Sequence, residues 1–270
     1  MFYRSQLFVP GNRPDRFEKA CRAGADLVCI DLEDAVGPGE KDEARATVLD
    51  WLGQTKHRNV SLRINGTDTD NGRKDIAALA DTQLALPFIM IPKVGSQSEL
   101  IALDKALPED LGRFFPIIES AMGVLNAAEI FAHPRVSLGM YGAVDYAGEV
   151  GCDLEWETHL YARSHLVASA AAHDVLLFDT PYIHVRDSEG CEAETRRAKK
   201  IGIFARSAIH PAQIEAIHKA QAPSAEEIAL ARRIIEADAQ SGGNVTLLNG
   251  KFIEAPVVKR AQGLLDRLGH

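Results

Sequence analysis

A short, unbroken apolar run followed by a helix-patterned stretch recurs eight times between Ser5 and Gln221, and this repetition constrains the fold more than any other feature. The apolar runs are SQLFVP (5–10), LVCIDLED (27–34), NVSLRIN (59–65), FIMIPKV (88–94), FFPIIES (114–120), SLGMYGAVD (137–145), VLLFDTPYIHV (175–185) and FARSAIH (204–210). Continuous rather than alternating apolar character suits strands covered on both faces, as in a parallel sheet. Eight β-then-α units within about 250 residues predict an α/β fold, a (β/α)8 TIM barrel. The competing doubly wound sheet lacks its GxGxxG turn after the first strand.

The chain continues past the eighth unit. PSAEEIALARRIIEADA reads as a helix, and SGGNVTLLNGKFIEAP as a Gly-rich hairpin with turn signals at Gly242-Gly243 and Asn249-Gly250. VVKRAQGLLDRL then reads as a last amphipathic helix. The expected division is a barrel over 1–222 and a helix–hairpin–helix extension over 223–270. We expect that extension to act as a lid, with a neighbouring subunit as one surface for it to pack on.

Over 270 residues, 46% hydrophobic and 25% charged content supplies a sizeable core in a soluble chain. A formal charge of −8 opposes general nucleic-acid binding, which needs basic surfaces. The start MFYRSQLFVPGNRPDRF lacks the apolar stretch of a signal peptide, and no run is long enough to span a membrane. Cys21, Cys29, Cys152 and Cys191 have no CxxC spacing, so reduced thiols in a cytoplasmic protein are expected.

In such a barrel, chemistry sits at the C-terminal ends of the strands. Strand two ends in Asp31, Glu33 and Asp34, and strand three in Arg63 and Asn65. Strand four carries Lys93, strand five Glu119, strand six Asp145, and strand eight Ser207 and His210. Any one of these alone reads as an exposed rim charge. Buried and unpaired, each costs several kcal/mol, so pairing with one another or with an ion is expected. Glu119 and Asp145 both close apolar segments, and small residues follow both, Ser120-Ala121 after the first and, beyond Tyr146, Ala147-Gly148 after the second. Two carboxylates on neighbouring strands, without His or Cys, suit a hard divalent cation such as Mg2+, which takes one or two carboxylates and keeps waters. Ser120 through Gly123 are expected to leave room for a chelated substrate. A glycosidase-like acid pair is the alternative, but Arg63 and Lys93 favour an anionic substrate. Arg63 is placed to stabilise charge that develops in a transition state. Lys93 reads either as a Schiff-base lysine or as an ion-pair partner of the rim acids.

Longer segments carry a family likeness: RSQLFVPGNRPDRFEKA, GADLVCIDLEDAVGPGEKDEAR, LRING, IMIPKV, PIIESAMGV, YGAVDYAGEVG, AIHPAQI and GKFIEAPVVKRAQ. In that order they resemble the citrate lyase beta-subunit-like proteins, acyl-CoA lyases of the metal-dependent aldolase superfamily that includes malyl-CoA and citramalyl-CoA lyases. DLEDAV with downstream Lys41 and Arg45 is the most specific element. The resemblance implies a (β/α)8 barrel, Mg2+, a CoA-thioester substrate and retro-Claisen or aldol-type cleavage. By motif it implies Glu119 and Asp145 as metal ligands, Arg63 facing a thioester enolate, and Glu33 and Asp34 as the acidic pair near the metal's waters. Glu254 matches a C-terminal flap carboxylate that relatives supply from a neighbouring subunit, although Asp is common there. A homo-oligomer, trimer or hexamer, is implied too. Ala205-Arg206 replaces a frequent Gly-Lys pair, which makes Arg206 a candidate for a CoA phosphate. Arg13 and Arg16 are further candidates for CoA phosphates, or else surface ion pairs. Lys93 joins Arg63 and Glu119 among the substrate-facing residues. Other activities stay open: cleavage of a citryl thioester on an acyl-carrier protein within a citrate lyase complex, a CoA-independent 2-keto-acid aldolase, or an inactive barrel that only binds.

Overall fold

The computed structural model describes residues 3–242 and 245–266. Eight parallel strands form a closed barrel: β1 (Ser5–Pro10), β2 (Leu27–Asp31), β3 (Val60–Arg63), β4 (Phe88–Ile91), β5 (Arg113–Ile118), β6 (Leu138–Tyr141), β7 (Leu176–Asp179) and β8 (Ala205–Ala208). β8 closes on β1 through Ser5↔Arg206, Gln6↔Ser207 and Leu7↔Ala208. The (β/α)8 expectation holds. Its basis in the sequence is plain in β2, where all five residues of LVCID are buried. One face of each strand packs into the lumen, where Cys29, Met90, Phe115, Ile117, Met140 and Phe178 form one cluster. The other face meets the helices in a second, larger cluster. Burial of each large apolar side chain contributes about 1.5–3 kcal/mol, so both layers drive closure.

Strand alternation fixes which side chains reach the mouth. Side chains two residues apart share a face. Cys29 faces the lumen, and so does Asp31 beyond it. By the same parity Ile117 leads to Glu119, Met140 to Gly142, and Phe178 to Thr180. Asp31, Glu119, Gly142 and Thr180 line one cavity at the C-terminal end of the barrel.

The strands stop earlier than the apolar runs suggest. β6 ends at Tyr141, and Gly142 opens a helix, Ala143–Val150, so Asp145 lies on that helix's first turn and not at the strand end. Ala143 and Ala147 sit four apart on the buried face, and Gly151 in the left-handed region stops the helix. Lys93, two residues past β4, also sits in the left-handed region at φ 56°.

The chain divides into two compact units, Tyr3–Gln221 and the segment from Ala222 onward. In the second unit the helix Ala225–Ser241 starts with a capping box between Ser224 and Glu227. An antiparallel hairpin, β9 (Thr246–Leu248) and β10 (Lys251–Ile253), and the helix Ala255–Asp266 complete it. Ala231, Ala261 and Leu265 form its small core. Asn249 and Gly250 both adopt positive φ, as the hairpin turn requires; the Gly243 part of the other turn signal lies outside the described residues. Among the described residues no helix is long and apolar enough to cross a membrane.

Candidate active site

The pairing register places Asp31 directly beside Arg63. Their shared lumen face converts this register into a bidentate pair: Arg63 Nε donates to Asp31 Oδ1 and Nη2 to Oδ2, both at 2.6 Å. Such charge-assisted forks are among the strongest and most directional side-chain contacts. Asp31 also accepts the backbone N–H groups of Glu33 (2.8 Å) and Ala35 (3.0 Å), so it orders the loop that carries the other acids. The guanidinium lies 5.0 Å over the Phe8 ring. Burial opposes the Arg63 cation, but Asp31 and Glu33 more than offset this and hold its pKa above the usual value.

Glu33 is buried and bridges two cations. Lys93 Nζ donates to its Oε1 at 2.5 Å, and Arg63 Nη1 lies 2.9 Å from Oε2, an ion pair without hydrogen-bond alignment. Burial raises the Glu33 pKa, Arg63 and Lys93 pull it down, and the net direction is upward. Asp34 is exposed, 3.7 Å from Arg63 and 3.9 Å from Lys93. Burial works to lower Lys93, and Glu33, Asp34 and Glu119 outweigh it, so its ammonium is stabilised. A Schiff-base lysine needs the opposite shift; the geometry is that of the ion-pair reading.

Glu119 follows β5 directly and is only 5% exposed. Its Oε1 accepts the Lys93 N–H at 2.7 Å, which ties the strained Lys93 backbone to the carboxylate. Burial first, then the charges of Asp145 and Glu33, push the Glu119 pKa up to about 8. Asp145, exposed on its helix, is close enough to share a hydrogen bond with Glu119. Two carboxylates held together against their mutual repulsion are a preformed site for a cation, which removes the repulsion on binding. No group of three or more His, Cys, Asp or Glu side chains poised to hold a metal occurs among the described residues. Two protein oxygens with the rest left to water and substrate fit Mg2+, which dehydrates reluctantly and seldom takes an all-protein cage.

Space beside Glu119 has a different origin from the one expected. Ser120 caps the helix Ala121–Leu125, accepting the Gly123 N–H at 3.0 Å, and a Cβ on Gly123 would meet the Val94 carbonyl at 2.6 Å. These small residues therefore serve helix-to-loop packing. Gly142 makes the room: a Cβ there would lie 2.5 Å from both Cβ and Oε2 of Glu119.

Lys41 and Arg45 support the acidic loop without entering the site. Lys41 Nζ donates to the carbonyls of Leu32 (2.8 Å) and Glu33 (2.5 Å) and to Asn65 Oδ1 (2.7 Å). Arg45 Nε and the Asn65 amide both donate to Asp75, the former at 2.5 Å and the latter at 2.6 Å. Arg206 does not reach solvent. It is fully buried between Asp179 (2.5 Å) and Glu194 (2.9 Å), which excludes the contact with a CoA phosphate expected from its position. Its place in β8, one residue past the lumen-facing Ala205, turns it toward the helix layer. Arg13 forms a bidentate surface pair with Asp15 at 2.9 and 2.8 Å, and Arg16 is exposed. His210 is exposed, and its Nδ1 accepts the Ala212 N–H. Glu254 follows β10; its carbonyl accepts the N–H groups of Val257 and Val258, and its side chain is exposed. Asp31 stands in the sequence only as one of three acids closing strand two; its parity with Cys29 and its position opposite Arg63 are the signals for its anchoring of that guanidinium.

The model of the HpcH/HpaI aldolase/citrate lyase family matches residues 4–211. The chain is 36% identical over 260 residues to a (3S)-malyl-CoA thioesterase of Cereibacter sphaeroides, covering 93% of this chain and 90% of that one. It is 33% identical over 293 residues to an L-malyl-CoA/beta-methylmalyl-CoA lyase of Cereibacter sphaeroides, covering 96% and 92%. Among solved structures, CitE of Mycobacterium tuberculosis in complex with magnesium, acetoacetate and coenzyme A superposes with a TM-score of 0.86 at 31% identity, covering 99% and 98%.

Proposed function

The chain belongs to the HpcH/HpaI aldolase/citrate lyase family, and from that premise we propose that it is a Mg2+-dependent carbon–carbon lyase acting on a 3-hydroxyacyl-CoA thioester of the malyl type. The observation that carries this reading is the buried Glu119 facing Asp145, with the Asp31-anchored Arg63 across the same cavity of about 340 Å³. Glu119 and Asp145 would hold magnesium, which would supply Lewis-acid polarisation of substrate oxygens.

The chain's own groups do the rest. Glu33 or Asp34, directly or through water, takes the proton from the substrate's 3-hydroxyl. As that C–O⁻ becomes a carbonyl, the C2–C3 bond breaks and its electron pair passes to the thioester side. Arg63, fixed by Asp31, stabilises the enolate oxygen in place of water. Glu254, contributed by the extension of a neighbouring copy in a homo-oligomer, protonates the enolate carbon. The products are a 2-oxo acid and an acyl-CoA. Incubation with a panel of 3-hydroxyacyl-CoA thioesters and Mg2+, reading out released 2-oxo acid, tests this; release that persists in both Glu119→Ala and Asp145→Ala with chelator present refutes it.

The 36% identity to a thioesterase favours a second reading, hydrolysis of the thioester at the same site. Its signature is free hydroxy acid and CoA with no 2-oxo acid, so the same assay separates the two.

A further inference from the structure

The cavity at the barrel mouth is rich in hydrogen-bond acceptors and poor in donors. Four acids line it, Asp31, Asp34, Glu119 and Asp145. With these ionised, Arg63 and Thr180 are the two lining side chains, among the described residues, that carry a donor. Arg63 already meets Asp31 and Glu33. A substrate carboxylate brings several acceptor positions into this space, and a chelated cation satisfies only part of them.

Thr180 is the donor without a use. It is 7% exposed and takes the lumen face two residues past Phe178. Its Oγ1 accepts the Ala143 N–H at 3.4 Å, beyond the usual limit of about 3.2 Å, so this contact alone is a weak reason for a hydroxyl. Its own O–H finds no acceptor among the described residues. A buried hydroxyl left in that state is costly, and nearly all such groups in native proteins are paired. The backbone behind it is fixed. Asp179 Oδ1 accepts the Thr180 N–H and Arg163 Nε, both at 3.0 Å, while its Oδ2 accepts Arg206 Nη2. Asp179, Arg163 and Arg206 are each at most 3% exposed, so a buried ion cluster sets where Thr180 stands. Ala143 opens the helix that carries Asp145, which puts Thr180 on the metal side of the cavity.

Resting on the lyase reading above, we infer that Thr180 contacts the substrate, its hydroxyl donating to the substrate carboxylate on the side of Asp145. The test is calorimetric titration of the full chain with glyoxylate at saturating Mg2+, corrected for metal chelated by the free acid. Thr180→Val keeps the side-chain shape and removes the donor, so it is expected to weaken glyoxylate binding about tenfold or more, as loss of a bond to a charged group does. Thr180→Ser keeps the hydroxyl and is expected to stay within about threefold of the parent. Titration with Mg2+ alone separates this contact from mere support of the helix that follows β6: affinity for the ion is expected to be nearly unchanged in both variants. Equal glyoxylate affinity in the parent and Thr180→Val overturns the inference. So does a loss in Thr180→Ser as large as in Thr180→Val, a matching loss of Mg2+ affinity, or no glyoxylate binding by the parent. Condensation of a panel of 2-oxo acids with acetyl-CoA by the parent is followed in parallel: failure with every acid refutes the lyase reading, while the glyoxylate comparison still decides this one.

Discussion

Arg63 and Asp31 act as one unit. Because the guanidinium is held by two bonds of 2.6 Å, its position is set by Asp31 and not by the flexible arginine stem. Arg63→Ala is therefore expected to lower kcat by roughly 10²–10³, as loss of an oxyanion donor does; steady-state kinetics showing a change in KM alone would contradict the role. Glu119 gives a second prediction. Its carboxyl ionises near pH 8 in the folded metal-free chain and near its ordinary value of 4.5 when unfolded. A raised folded pKa means that the contribution is fully present below about 4.5 and is lost as pH rises toward 8. The neutral isostere Glu119→Gln escapes that loss. Without metal, its Tm is expected to exceed that of the parent above pH 8 by at least ~2–4 °C, the equivalent of about 1 kcal/mol. Equal melting temperatures there would show that Glu119 is ionised without penalty.

At the scale of elements, the β6 end and the helix that follows shape the metal-side wall. Gly142→Ala puts a methyl group 2.5 Å from the Glu119 side chain, so one of the two must move. We expect about 1–3 kcal/mol of destabilisation, as for other overpacked sites, with weakened Mg2+ affinity. In the double variant Gly142→Ala/Glu119→Gly the added destabilisation should be largely relieved, since Cβ and Oε2 of residue 119 are both gone; additive melting shifts would contradict this packing account. The same elements show what was legible in the sequence. Two-sided burial writes itself as continuous apolar runs, so all eight strands could be located from residue type alone. Strand ends could not, because GAVD remains apolar while Gly142 switches the backbone into a helix, and this moved Asp145 off the strand. Residue type also shows that Arg206 is charged but not which layer of the barrel it faces; one step of strand parity buries it against Asp179.

For the whole molecule, the proposal assigns two units to one reaction. The barrel holds Glu119, Asp145 and Arg63, and the segment from Ala222 onward carries Glu254. If neighbouring copies exchange this carboxylate, an equimolar mixture of Glu254→Ala and Asp145→Ala, each inactive alone, should recover activity on subunit exchange, to about a quarter of the parent level or less. No recovery under conditions where exchange is demonstrated would place Glu254 in its own copy's site or outside the reaction. The most direct test of the account is Mg2+ titration by calorimetry without substrate. The parent chain should bind one ion per subunit and release a fraction of a proton near pH 7, and both Glu119→Ala and Asp145→Ala should lose the site. Unaltered Mg2+ binding in either variant would contradict the account.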